Sequence, residues 1–155
     1  MCSAGDDDVV KTEVMSRQEA RSASTVKSSV STVIVSITDC GKPQNTFYPA
    51  DWLVSILHIQ FDDVEFGGKN CITKGQAVII ADFVLNHRKK ADRIIVHCEF
   101  GQSRSAAVAA AVSRFLNGND GGIFYNRRYN PNKTCYNYVL EALKKRAWVP
   151  KFLRG

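Results

Sequence analysis

Residues 93–118, RIIVHCEFGQSRSAAVAAAVSRFLNG, decide the fold. Arg93 to His97 is a short apolar, β-branched run that reads as a strand. Ser105 to Leu116 is Ala-rich, as a helix prefers, and Asn117-Gly118 closes it in the usual way. The loop between them must carry the chain from a strand end to a helix start, and Gly101 gives it the freedom to turn tightly. Cys98 is therefore expected at the carboxyl end of a strand, facing a helix N-terminus.

Outward from this stretch the pattern repeats. Thr32 to Ile37, Thr-Val-Ile-Val-Ser-Ile, is a buried strand that stops at the turn Asp39-Cys40-Gly41-Lys42-Pro43. Leu53 to Phe61 is a further strand, and Asp62 to Cys71, with its Gly67-Gly68, is a loop. Thr73 stands as N-cap before a helix over Gln76 to Lys89, with Ala77, Ile80, Phe83 and Val84 on its apolar face. Val9 to Met15 reads as a first strand, Arg17 to Ala23 as a short helix, Ser24 to Ser31 as a Ser-rich connection, and Lys133 to Arg146 as a last amphipathic helix. Strands alternating with helices predict an α/β layered fold whose central sheet is mostly parallel, with ligands beyond the carboxyl ends of its strands.

Length and composition bound the rest. The 155 residues, 45% hydrophobic, suit one domain over 9–155, preceded by a frayed acidic terminus over 1–8. Five cysteines without C-x-x-C pairs do not form a disulfide framework or zinc-finger set, which favours reducing, cytoplasmic surroundings. Asp6, Asp7 and Asp8 stand where a secretory signal would be basic, and no run reaches the roughly 20 apolar residues of a membrane span. The net charge of +6 is concentrated after Gly121, where Arg127, Arg128, Lys133, Lys144, Lys145, Arg146, Lys151 and Arg154 face one acid, Glu141. That end could steer a phosphorylated substrate or nucleic acid, or simply be a solvated helix face.

The chemistry concentrates in His97-Cys98-Glu99-Phe100-Gly101-Gln102-Ser103-Arg104-Ser105. A loop of this length can aim several backbone N–H groups at one point, where the helix dipole adds positive potential. Both the Cys98 thiolate and a bound phosphate suit that point, and Arg104 offers a planar fork for two phosphoryl oxygens. Ser105 can donate a hydrogen bond to the sulfur.

This pattern, Cys98 followed by Gly101, Ser103, Arg104 and Ser105, resembles the Cys-x5-Arg signature loop of protein tyrosine phosphatases, with the dual-specificity branch the nearer likeness. The resemblance covers roughly Leu53 to Leu116. It implies Cys98 as nucleophile, Arg104 as phosphate clamp, Ser105 as the hydroxyl that assists thiolate departure, and His97 as structural neighbour. Glu99, Phe100, Gly101, Gln102 and Ser103 complete the implied phosphate-binding loop. The general acid of this family lies on a loop after a strand, about as far before the cysteine as Asp62 and Asp63. Alternation lets only one of them point inward, and the family pattern favours Asp63. The implied reaction is phosphomonoester hydrolysis of phosphotyrosine, with phosphoserine and phosphothreonine also open, and it needs no cofactor or metal.

Rival readings differ in what they require. A pseudophosphatase would normally lack the cysteine, arginine or acid, and all three are present. An RNA 5′-phosphatase remains open because of the basic C-terminal segment, whereas Glu99 and Gln102 argue against phosphoinositides. His58, His87 and His97 lack metal-ligand spacing, and Asn132-Lys133-Thr134 is a chance sequon.

Overall fold

The structure, a computed structural model, describes residues 9–155; the acidic segment 1–8, expected to fray, lies outside the described residues. Four strands, β1 (Lys11–Ser16), β2 (Thr32–Thr38), β3 (Leu53–Gln60) and β4 (Arg93–Cys98), form one sheet in the order β1-β4-β2-β3. Every neighbouring pair is parallel, as expected for strands joined through helices. The helices are α1 (Arg17–Ala23), α2 (Lys74–His87), α3 (Arg104–Asn117) and α4 (Lys133–Arg146), followed by a short 3-10 turn over Lys151–Leu153.

Side-chain alternation divides the sheet into two faces. Val33, Val35 and Ile37 of β2, with Ile94, Val96 and Cys98 of β4, join the core shared with α2, α3 and α4. Ile34 and Ile95 point the other way, into a smaller cluster with Ala20 of α1 and with Phe47 from the connection after β2. The sheet is thus the middle of three layers. β2 lies between two strands and between two layers, and all seven of its residues are buried, which explains its unbroken β-branched composition.

The helices begin and end where their sequences direct. Thr73 caps α2 through a reciprocal pair with Gln76, and Ser16 caps α1 in the same way with Glu19. Gly118, at φ +85°, ends α3 in the left-handed conformation. The buried face of α2 comprises Ala77, Ile80, Ala81, Val84 and Leu85. Phe83 lies at the edge of this face, half-buried, packing against the same core and placing its ring 4.5 Å from that of His87. Residues 104–113 of α3 are buried all round, so its alanines are the small side chains that let the sheet and α4 approach it closely.

Gly101 fixes the junction between β4 and α3. It has φ +69°, and a Cβ there would lie 2.7 Å from both the Met15 carbonyl carbon and the Ser16 nitrogen at the end of β1. No rotamer relieves a clash with backbone. Gly101→Ala is expected to lower stability by about 2–4 kcal/mol, combining left-handed strain with overpacking. Denaturant unfolding of wild type and variant measures it, and a loss under about 0.5 kcal/mol would mean that the loop does not rest on β1 as described.

Candidate active site

All four strands run the same way, so their carboxyl ends share one edge, and that edge holds the loop from Cys98 to Arg104. Gly101 rests on the end of β1. Asp39 follows β2, Phe61, Asp62 and Asp63 follow β3, and Cys98 ends β4. The loop carbonyls turn outward: Glu99 O accepts from Arg17 N, Gln102 O from Asn130 N, and Ser103 O from Asn132 N and Ala107 N. By contrast, among the described residues the N–H groups of Phe100, Gly101, Gln102 and Ser103 have no protein acceptor. Such a ring of free donors at a helix start forms an anion-binding concavity.

Ser103 reinforces this. It occupies the N-cap position of α3 yet makes no side-chain cap, because its hydroxyl donates to Asp63 Oδ1 at 2.8 Å. The first N–H groups of α3 therefore stay free. Cys98 Sγ lies 3.0 Å from Ser105 Oγ, and both residues are buried.

Arg104 is buried as well, and its fork is already half engaged. Nη1 donates to the Phe61 carbonyl at 2.6 Å and pairs with Asp39 Oδ1 at 2.7 Å. Nε is buried without an acceptor, so the Nε–Nη2 edge is left for an oxyanion. Asp39 was read from sequence only as a turn former. Nothing local distinguishes it from any other acid after a strand; its pairing with Arg104 depends on β2 lying next to β4.

The two neighbouring acids separate clearly. Asp63 Oδ1 accepts from both Ser103 Oγ and Asn132 Nδ2, at 2.8 and 3.0 Å, so its carboxylate belongs to the loop. Asp62 faces away, accepting from Cys40 N at 2.9 Å and Asn70 Nδ2 at 3.0 Å, which draws its carboxyl below the usual range. Asp62 thus ties two loops together. Asn132, the first residue of the sequon, is buried: its oxygen caps α4 at Cys135 N, and its amide holds Asp63 and the Val64 carbonyl. Sequence reading missed this residue, although Asn before a helical run is an ordinary cap signal. Cys135 packs beneath the loop, its sulfur 3.9 Å from Arg104 O, and burial pushes its thiol well up.

His97 points into the opposite layer. Its Nδ1 donates to the Cys98 carbonyl at 3.2 Å, leaving Nε2 to accept from Ser36 Oγ at 2.6 Å and more weakly from Asn45 Nδ2 at 3.4 Å. This arrangement is the neutral imidazole. A second proton would remove the acceptor that Ser36 needs, and burial, the largest cause, pushes the pKa down to about 4. His97 therefore holds the carbonyl of Cys98, and with it the start of the loop.

The basic residues at the end of α4 do not reach the site, whereas Arg127, Arg128 and Lys133 flank Asn130 and Asn132, whose N–H groups donate to Gln102 O and Ser103 O of the loop. α4 starts at the loop and carries Lys144, Lys145 and Arg146 in its last turn, about 20 Å away at 1.5 Å per residue. Lys145 pairs there with Glu141 and Arg146 with Asp82.

No family model and no curated protein matches this chain. Solved structures do. Tk-PTP, crystallised in its active form, is 19% identical with a TM-score of 0.53, over 87% of this chain and 90% of that one. PTPMT1 is 17% identical with a TM-score of 0.53, over 91% and 93% respectively. Both have the protein tyrosine phosphatase fold, and so does this chain.

The buried imidazole makes stability depend on pH. Unfolded, His97 takes up a proton near pH 6.5; folded, only near 4. The unfolded chain thus binds more protons between those values, and stability present above pH 6.5 is lost as the pH falls through 4. The loss attributable to His97 is at most about 3 kcal/mol. Unfolding measured from pH 7 to pH 4 should show a shallower slope in His97→Gln than in wild type, and equal slopes would mean that His97 is not held neutral.

Proposed function

We propose that this protein is a phosphomonoesterase acting through a phosphocysteine on Cys98, with protein phosphotyrosine as substrate. The observation that carries this reading is the ring of unpartnered N–H groups around a buried cysteine, closed by the free edge of a buried arginine. A phosphoryl group has the charge, the oxygens and the size to satisfy it. The fold supports the reading without naming a substrate.

In the first step the Cys98 thiolate attacks phosphorus in line with the ester oxygen, so that the S–P bond forms as the P–O bond breaks. The loop N–H groups and the Nε–Nη2 edge of Arg104 hold the equatorial oxygens and balance their charge. Asp63 gives its proton to the departing oxygen; Oδ1 already accepts two hydrogen bonds, which leaves Oδ2 to carry it. In the second step water attacks phosphorus, Asp63 takes a proton from it, and sulfur leaves as thiolate, assisted by a hydrogen bond from Ser105. Asp39 positions Arg104, and Asn132 positions Asp63.

Phe100 stands 76% exposed on the rim, beside the exposed Gln102. A shallow rim with an aromatic side chain suits a phosphotyrosine ring and leaves phosphoserine and phosphothreonine within reach. For the RNA reading only Arg127, Arg128 and Lys133 of the basic segment remain beside the loop, because the basic end of α4 lies a helix length away. A thiolate nucleophile also favours reducing, cytoplasmic surroundings.

Two results test this reading. Cys98→Ser should lower hydrolysis of an aryl phosphate by at least about 10³-fold without unfolding the chain, and vanadate should inhibit the wild type. Turnover that survives in Cys98→Ser overturns the assignment. Asp63→Asn should slow a phosphopeptide with a basic leaving group by roughly 10²–10⁴-fold and an activated aryl phosphate far less. Asp62→Asn should show a small loss independent of the leaving group; if the dependence follows Asp62 instead, Asp63 is not the acid.

A further inference from the structure

A cleft of roughly 450 Å³ opens beside the signature loop, on the α1 side, walled by Arg17, Arg21, Asn45, Glu99 and Phe100. It adjoins the reactive centre: Ser16 pairs with Cys98 in the sheet, and Arg17 N donates to Glu99 O at 3.2 Å. The guanidinium of Arg17 is anchored, with Nη2 donating to the carbonyls of Pro43 and Gln44 at 3.0 and 3.2 Å. Those acceptors orient the charge without neutralising it. Arg21 follows four residues later on the same helix face, and neither arginine has a carboxylate within 4.0 Å among the described residues. Like charges at this spacing mildly destabilise a helix, whereas Glu141 and Lys145 of α4 use the same spacing for attraction. Glu99, the acid among the walls, leaves the cleft net positive.

We propose that this cleft is an accessory anion subsite for the substrate. It binds a negatively charged side chain, a carboxylate or a second phosphate, close in sequence to the phosphorylated residue of a peptide. Arg17 and Arg21 receive the charge, and Phe100, between cleft and loop, supports the apolar part of the intervening chain. A peptide fits better than RNA or an inositol phosphate. Glu99 repels a ligand that carries charge along its whole length, but tolerates one that places a single anion on the arginines. The inference rests on the phosphatase reading and specifies its substrate class.

The test compares three phosphotyrosine peptides that differ at one position beside the phosphotyrosine, with alanine, glutamate or phosphoserine there. Each is assayed as kcat/KM with wild type, Arg21→Ala and Arg21→Glu, and as binding to the same proteins carrying Cys98→Ser. At low ionic strength the wild type should favour the glutamate peptide over the alanine peptide about three- to fivefold, and the phosphoserine peptide by at least as much. The ratio should fall toward one in Arg21→Ala, invert in Arg21→Glu and shrink as salt is raised. A preference for glutamate alone or for phosphoserine alone identifies the anion. An unchanged ratio in Arg21→Glu, or no preference in wild type that still hydrolyses all three peptides, overturns the subsite and leaves the phosphatase reading standing. Failure to hydrolyse any peptide or an aryl phosphate overturns both. Discrimination among RNA 5′ ends or phosphoinositides that follows Arg21, with none among peptides, also overturns the subsite as a peptide site.

Discussion

A single nitrogen, Nη1 of Arg104, donates at once to the carboxylate of Asp39 and the carbonyl of Phe61. Those two residues follow the ends of β2 and β3, while Arg104 itself starts α3, directly after β4. One buried cation thus ties three consecutive chain reversals together. A buried guanidinium without partners would be costly, so the three reversals must keep this relative placement for Arg104 to stay where it is. The same contact fixes which edge of the fork remains free, and therefore where an oxyanion can sit.

The sheet makes this convergence feasible. Parallel strands deliver all their carboxyl ends to one edge, and β4 lies between β1 and β2. The parity of β4 then divides the labour of adjacent residues. Cys98 turns toward the helical layer, where Ser105 of α3 and Cys135 of α4 lie, while His97 turns into the opposite layer and grips the carbonyl of Cys98 from behind. A shift of one residue would exchange the two and place an imidazole where the thiol stands.

A second contrast runs through the polar groups. Asp62, Asn132, Ser36 and Asn45 spend their hydrogen-bonding capacity on structure. The loop N–H groups and Nε of Arg104 do not, and neither arginine of the α1 cleft has a carboxylate partner. Buried donors normally find acceptors, so donors left free together mark where a ligand's charge is expected. The proposed phosphoryl position is read from this difference, and the proposed cleft from two like charges without a carboxylate partner.

The elements were legible because their signals are local. Alternation and β-branching marked the strands, Thr73 and Gly118 marked helix ends, and Cys98 with Arg104 bracketed a loop whose length and glycine leave few other conformations. The preference for Asp63 over Asp62 was half legible, since alternation says that one turns inward but not toward what. Asp39, Asn132 and the pair Arg17 and Arg21 were not legible as site residues. Each is an ordinary turn former, cap or surface charge in sequence, and it acquires its place from neighbours distant in the chain. That placement comes from strand order, which the sequence determines only through long-range packing. Local pattern set what each segment became; which carboxylate met which cation was decided when β4 inserted between β1 and β2, where burial required each charge and each donor either to find a partner or to wait for a ligand.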